Sequence, residues 1–316
     1  MGSKTRPIPA SAAFLAFFGL SACALPPAQP PAPPQPAAAP QPAPDATAIV
    51  PPAPNPNASP SNAAGSADAL AAMGDAYYTG HGVPQDYATA ASWYGRAAPL
   101  GNEDAQYRLA VMYQTGTGVP ADAQAADYWF AKAADQGNPD AALALGNAYT
   151  NGTGVPKDDA KASEWFAKAA DAGNAEAQNS LGYNYNAGLG VKQDYTKAAQ
   201  YFTAAAQQGN VKAQFNLGNY YAHGYGVPQS DVLAAQWWQK AAERNNADAQ
   251  DALGNAYAYG AGVPANPGKA AYWWQRAAAQ GNKPAQFSLS QALSTGSGVK
   301  RDAQKSAYWL LLATAP

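Results

Sequence analysis

The sequence predicts an all-α protein, an α-solenoid of seven 36-residue helix-turn-helix repeats. Two observations carry this reading. The pentapeptide Gly80-His81-Gly82-Val83-Pro84 returns in altered form along the chain, and its Gly-Val pair recurs at 82, 118, 154, 190, 226, 262 and 298, always 36 residues on. A fixed period of this length marks stacked repeats that bury a shared core. Between these turns, alanines and large aromatics keep fixed columns, as interdigitated helices require.

The whole chain sets further bounds. With 316 residues, a net charge of −2 and only 13% charged residues, it offers no basic face, so nucleic acid is not an expected partner. Its single cysteine, Cys23, excludes a disulfide within the chain and a cysteine-based zinc site.

From the N-terminus, Lys4 and Arg6 precede an apolar run, Ala10 to Leu20, that is too short to span a bilayer. Leu20-Ser21-Ala22-Cys23 then resembles the lipobox of bacterial lipoproteins. That resemblance implies a signal peptide over 1–22, cleavage before Cys23, and a diacylglyceryl group on Cys23 as the lipidation site. Ala24, where inner-membrane lipoproteins carry Asp, implies the periplasmic face of the outer membrane. The alternative is an ordinary secretory signal and a soluble periplasmic or secreted protein. Residues 24 to about 65 hold fifteen of the 27 prolines and one charge, Asp45. Such a segment buries no core and samples extended polyproline II, reaching about 120 Å at ~3.1 Å per residue. Residues 23–65 are therefore expected to be a disordered tether, and 66–316 the repeat domain.

Each repeat reads as helix A, glycine turn, helix B. In the second, Ala105, Leu109 and Tyr113 fall at i, i+4 and i+8, one face of a helix. Gly116 and Gly118 end that helix, and Asp122 caps the next. The capping column reads Asp86, Asp122, Asp158, Asp194, Ser230, Asn266 and Asp302. Helix A carries alanine columns from Ala69 and tyrosine columns from Tyr77. Helix B carries Trp93, Trp129, Trp165, Tyr201, Trp237, Trp273 and Trp309, expected in the core rather than around a cofactor.

The columns Ala141, Leu145-Gly146, Tyr149, Gly152, Gly154-Val155, Asp158, Ala162, Trp165, Lys168-Ala169-Ala170 and Gly173 resemble the pattern of the Sel-one-like repeat (SLR) family, relatives of the tetratricopeptide repeats. The match runs from about 67 to 313. It implies a right-handed α-solenoid with a concave groove, acting as an adaptor in membrane-linked complexes and bacterial envelopes. The function expected is thus a non-catalytic protein–protein interaction scaffold without cofactor or metal. Its partners would be envelope proteins or peptides, with peptidoglycan or exopolysaccharide machinery among them. Cysteine-rich SLR proteins have been linked to β-lactam binding or hydrolysis, so a β-lactam- or peptidoglycan-acting hydrolase is one alternative. This chain has no cysteine after 23. Its one S-x-x-K string, Ser297 to Lys300, lies in a glycine turn without S-D-N or K-T-G companions. His81 and His223 occupy different, variable columns and do not suggest a metal site. A glycan-binding module is the other alternative; it would need aromatics exposed on the groove.

In tetratricopeptide-like arrays helix A lines the concave face. Its variable columns at 71, 75 and 78 share one stripe, i, i+4, i+7. The stripe is amide-rich with interspersed aromatics: Tyr107, Asn147, Asn179, Tyr183, Asn186, Phe215, Asn219, Asp251 and Asn255 are the expected binding residues. Amides both donate and accept, which suits a peptide backbone or sugar hydroxyls. At the C-terminal end, Leu310 aligns with inner residues Phe130, Phe166 and Trp274 and is expected to be buried. Leu311 and Leu312 replace small, polar or basic residues of the other repeats. They are expected to form a docking end, open to a partner or to self-association.

Overall fold

The computed structural model describes residues 66–315. The expected signal peptide, Cys23 and the proline-rich linker lie outside the described residues. Fourteen α-helices, and no strand, are present among the described residues. The A helices are α1 (Ala67–Thr79), α3 (Glu103–Thr115), α5 (Pro139–Asn151), α7 (Ala175–Ala187), α9 (Val211–His223), α11 (Ala247–Tyr259) and α13 (Lys283–Thr295). The B helices are α2 (Tyr87–Ala97), α4 (Ala123–Asp135), α6 (Asp159–Asp171), α8 (Tyr195–Gln207), α10 (Asp231–Glu243), α12 (Pro267–Ala279) and α14 (Ala303–Thr314). Each helix packs on its neighbours in sequence, so the repeats stack into an α-solenoid.

The turn between A and B is the same in every repeat. Helix A stops at a glycine in the left-handed region, as at Gly152 (φ 72°), whose N–H donates to Ala148 O. Asp158 N–H then donates to Tyr149 O at 2.9 Å, closing the turn, and the Asp158 carboxylate accepts from the N–H groups of Ala160 and Lys161. All seven residues of the expected capping column cap helix B in this way. A second capping column, unread in the sequence, starts helix A: Ser66, then Asn102, Asn138, Asn174, Asn210, Asn246 and Asn282. Several of these asparagines also reach the preceding repeat; Asn174 Nδ2 donates to Asp140 Oδ1 at 2.9 Å.

The second glycine of the turn joins one repeat to the next. A Cβ on Gly118 would collide with the carbonyl of Tyr87, one on Gly190 with that of Asp159, and one on Gly262 with that of Asp231. Each is the start of the preceding repeat's helix B. Gly82, in the first repeat, meets nothing there.

The core differs from the sequence reading in one respect. The tryptophan column is not uniformly buried. Trp93 and Trp129 are, but Trp165, Tyr201, Trp237, Trp273 and Trp309 are only half-buried. Three of these rings carry a cation on the outer face: Lys168 Nζ lies 3.7 Å from the Trp165 ring, Lys240 Nζ 3.9 Å from Trp237 and Arg276 5.4 Å from Trp273. The enclosed aromatics stand one residue later, in the column already read as inner, at Tyr94, Phe130, Phe166, Phe202 and Trp238. Helix B also packs tightly on glycines of helix A. A Cβ on Gly146, Gly182 or Gly218 would run into the ring of Phe166, Phe202 or Trp238.

Buried glutamines add a polar seam. Gln106, Gln178, Gln214, Gln250 and Gln286 each donate to a backbone carbonyl eight residues earlier, at the end of the preceding helix B. These bonds satisfy carbonyls that a helix end leaves open.

The turn geometry gives a direct test. Gly82→Ala meets only the cost of a left-handed residue, roughly 1–2 kcal/mol. Gly190→Ala adds the collision with the Asp159 carbonyl, about 1–3 kcal/mol more. Thermal melting followed by circular dichroism should therefore show the larger loss for Gly190→Ala. Equal losses would mean that the inter-repeat seat contributes nothing.

Candidate functional site

The expected binding stripe lies on the A helices, and the structure divides it by what stands behind it. Where the enclosed aromatic of helix B carries a donor, the stripe residue is consumed. Tyr94 Oη donates to Asp75 at 2.7 Å, Trp238 Nε1 to Asn219 at 3.0 Å, and Trp274 Nε1 to Asn255 at 3.1 Å. Asn255 in turn donates to Asp251, which is buried rather than open to a groove. Asn186 accepts from Tyr220 Oη at 2.7 Å, and Asn179 from Asn216.

Where that aromatic is Phe, it makes no such demand. Behind Phe130, Phe166 and Phe202 stand Val111, Asn147 and Tyr183. Asn147 and Tyr183 are exposed, Tyr183 by 54%, and neither side chain has a hydrogen-bond partner among the described residues. Half-buried Tyr107 and Phe215 flank them in the neighbouring column. Burial raises the Tyr107 phenol above its ordinary pKa, so it is a neutral donor. Asn147 and Tyr183 thus present an amide and an aromatic ring near the centre of the array, while Asp75, Asn219 and Asn255 of the same column are tied into the fold.

The other sequence candidates fall elsewhere. His81 is exposed in the first turn. His223 ends α9, its Nδ1 2.8 Å from Asn219 O and its ring stacked on Tyr225 at 5.2 Å. No group of three metal-binding side chains is found among the described residues. Ser297 is spent on the turn, its N–H donating to Ala292 O. No helix among the described residues is long and apolar enough to cross a membrane. At the C-terminal end Leu311 is 69% exposed. Leu312 is half-buried, in the column where other repeats place cations over the tryptophan ring. Leu310, expected in the core, is 41% exposed, because no further repeat among the described residues stacks on the outer face of α14.

One feature the sequence reading missed is a buried acid. Asp127 in α4 is 9% exposed, and its Oδ2 has no hydrogen-bond partner. A Cβ on Gly154 in the next repeat's turn would collide with it. One repeat on, the same position is Ser163, whose hydroxyl donates to Leu189 O and accepts from Asn184 Nδ2, both at 2.9 Å. Burial pushes the Asp127 carboxyl up to about 7. Burial likewise pushes Asp251 up to about 6, against the opposing bond from Asn255.

The family model for the Sel1 repeat matches residues 67–102, 103–138, 139–174, 175–210, 211–246, 247–282 and 283–315. Among solved structures, a protective antigen present in uropathogenic Escherichia coli strains, described as displaying an SLR fold, is similar at 36% identity and a TM-score of 0.74 over 78% of this chain. The match covers 53% of that antigen, so this chain spans about half its length. A Sel1 repeat protein from Oxalobacter formigenes is similar at 31% identity and a TM-score of 0.67, covering 78% of this chain and 97% of its own. No curated protein matches.

Asp127 makes stability depend on pH. Below the unfolded pKa of 3.8 the acid is protonated in both states and costs nothing. Between there and about 7, unfolding releases its proton, so stability falls as pH rises, and the loss is complete above that window. Asp86 is held below its usual range chiefly by Thr89, and Asp302 by the Lys305 N–H; both act only at more acid pH. The protein should therefore melt higher at pH 5 than at pH 8. Asp127→Ser, which copies Ser163, should shrink that difference to the part Asp251 contributes and raise melting at pH 8. A parent that melts equally at both pH values would show Asp127 to be charged and hydrated in the fold.

Proposed function

The chain belongs to the Sel1 repeat family, and on that premise we propose that it is a non-catalytic binding scaffold, held to the bacterial envelope by a lipid on Cys23. Sel1 repeats generally serve protein–protein interaction. The observation that carries the reading is the unspent centre of the stripe. Asn147 and Tyr183 stand free on adjacent A helices, with Tyr107 and Phe215 beside them. An extended peptide fits this arrangement: the amide pairs with its backbone, and the rings cover its apolar side chains. Envelope proteins or peptides are the partners in this reading. The lipobox, the apolar leader and the tether support export and anchoring at the periplasmic face of the outer membrane. That the E. coli relative is a protective antigen is in keeping with a protein that leaves the cytoplasm. Exposed Tyr183 also meets the requirement named for a glycan-binding module, which is the second reading.

The site is tested by separating binding from stability. Asn147→Ala with Tyr183→Ala removes exposed groups and should leave the melting temperature within ~2 °C, while abolishing the peptide-linked products that a photo-crosslinker at position 143 captures in intact envelopes. Asn219→Ala strips the acceptor from Trp238 Nε1 and should cost about 1–3 kcal/mol of stability. Undiminished crosslinking in the double variant would move the site elsewhere; crosslinks to saccharide alone would favour the glycan reading. Anchoring is tested independently. Cys23→Ser should move the protein from the membrane fraction to the soluble periplasm, since the acyl chains supply the membrane affinity. A variant that still sediments with membranes would overturn the lipid anchor.

A further inference from the structure

The two end faces of the array are the two halves of its own repeat interface. On α1, Met73 is 38% exposed, whereas its column is 3% exposed or less in the other six repeats, as at Leu109 and Leu289. Ala69 is likewise exposed where its column is otherwise sealed, and Gly82 has an empty seat where Gly118 or Gly298 meets the preceding helix B. On α14, Ala307, Leu310 and Thr314 are exposed at i, i+3 and i+7. Their counterparts one repeat earlier, Ala271, Trp274 and Ala278, are buried or half-buried.

Those are the columns through which every repeat meets the next. The hydroxyl of Ser163, in the Ala307 column, donates to Leu189 O of the following repeat. Phe202, in the Leu310 column, packs edge-on against Tyr220 of the following repeat at 5.2 Å. The carbonyl of Ala170, in the Thr314 column, accepts from Gln178. Charge favours joining unlike ends. Apart from Asp75, which is paired with Arg108 of the second repeat, the first repeat sets Asp68 and Asp86 against Arg96, a net −1, and the last sets Lys283, Lys300, Arg301 and Lys305 against Asp302, a net +3.

We infer that the outer face of α14 docks on the outer face of α1 of a second copy, continuing the repeat stack from one molecule into the next. The contact is heterologous, and because it continues the stack along its own direction each added copy leaves a free end, so it propagates into open chains. It stands independently of what the central stripe binds.

Light scattering on the full chain carrying Cys23→Ser, which removes acylation and thiol linkage, tests this. The weight-average mass should rise past that of a dimer with concentration, and fall back in high salt as the charge attraction is screened. Met73→Lys blocks one end and Leu310→Asp the other. Both sites are exposed, so melting should be unchanged; Ala69→Lys and Thr314→Glu serve if either variant melts lower. Each variant alone should remain monomeric. An equimolar mixture should form dimers and stop there, because one intact end of each kind remains. A parent that is monomeric at millimolar concentration would overturn the proposal. So would a Met73→Lys protein that associates like the parent, which would mean that like ends meet, or a mixture that stays monomeric.

Discussion

The structure depends on one contact, repeated along the stack: from the second repeat on, the second glycine of the turn pressed against the first carbonyls of the preceding helix B. It fixes how far each repeat is displaced and rotated from the last. The first glycine is required by its own left-handed backbone. The second is required twice, by its backbone and by its neighbour, and no side chain fits between Gly190 and Asp159. Once this seat is made, the rest follows by register. The capping aspartate reaches the tyrosine carbonyl behind it, the buried glutamine reaches the end of the previous helix B, and the enclosed aromatic drops onto the helix A glycine. In an array whose units touch only their neighbours, stability is a sum over such seats.

The same register decides which part of the surface is available for binding. The residue at the 75 position of each repeat faces an aromatic from its own helix B. A Trp or Tyr there must have an acceptor, because a buried N–H or O–H left unpaired costs about 1–3 kcal/mol. Asp75, Asn219 and Asn255 supply it. Phe asks for nothing, and repeats two to four use Phe. The free patch at Asn147 and Tyr183 is thus set by the core residues beneath it. Polarity of the stripe alone does not locate it.

Repeat number, both helices, the turn and the helix B caps were legible in the sequence, because each rests on local chemistry: a left-handed glycine, an acid at an N-terminus, an apolar face at helical spacing. The inter-repeat terms were not. Nothing local distinguishes Trp165, whose outer face is covered by Lys168, from Phe166, which is enclosed; the two are adjacent, and their burial is set by the angle at which the next repeat arrives. Asn147 and Asn219 occupy the same column and look alike, yet differ in function through a residue nineteen positions away. Asp127 appeared as one polar residue in a small-residue column. The signal that could have found it is the column itself: Ala91, Ser163, Ala199, Ala235, Ala271 and Ala307 are all small, so an acid there had to be enclosed.

Stacking of copies bears on binding through geometry. Within one chain the free stripe spans only the central repeats, and a short patch on a narrow helix face holds an extended ligand weakly. A junction that reuses the internal repeat interface keeps the same displacement and rotation, so the stripes of successive copies recur at a fixed spacing and a fixed angle. A ligand long enough to bridge two copies then binds the second at high effective concentration, and its avidity exceeds either single contact without any new residue. Weak individual sites suit such an assembly. They leave each contact reversible while the row as a whole selects for long or repetitive partners over short ones.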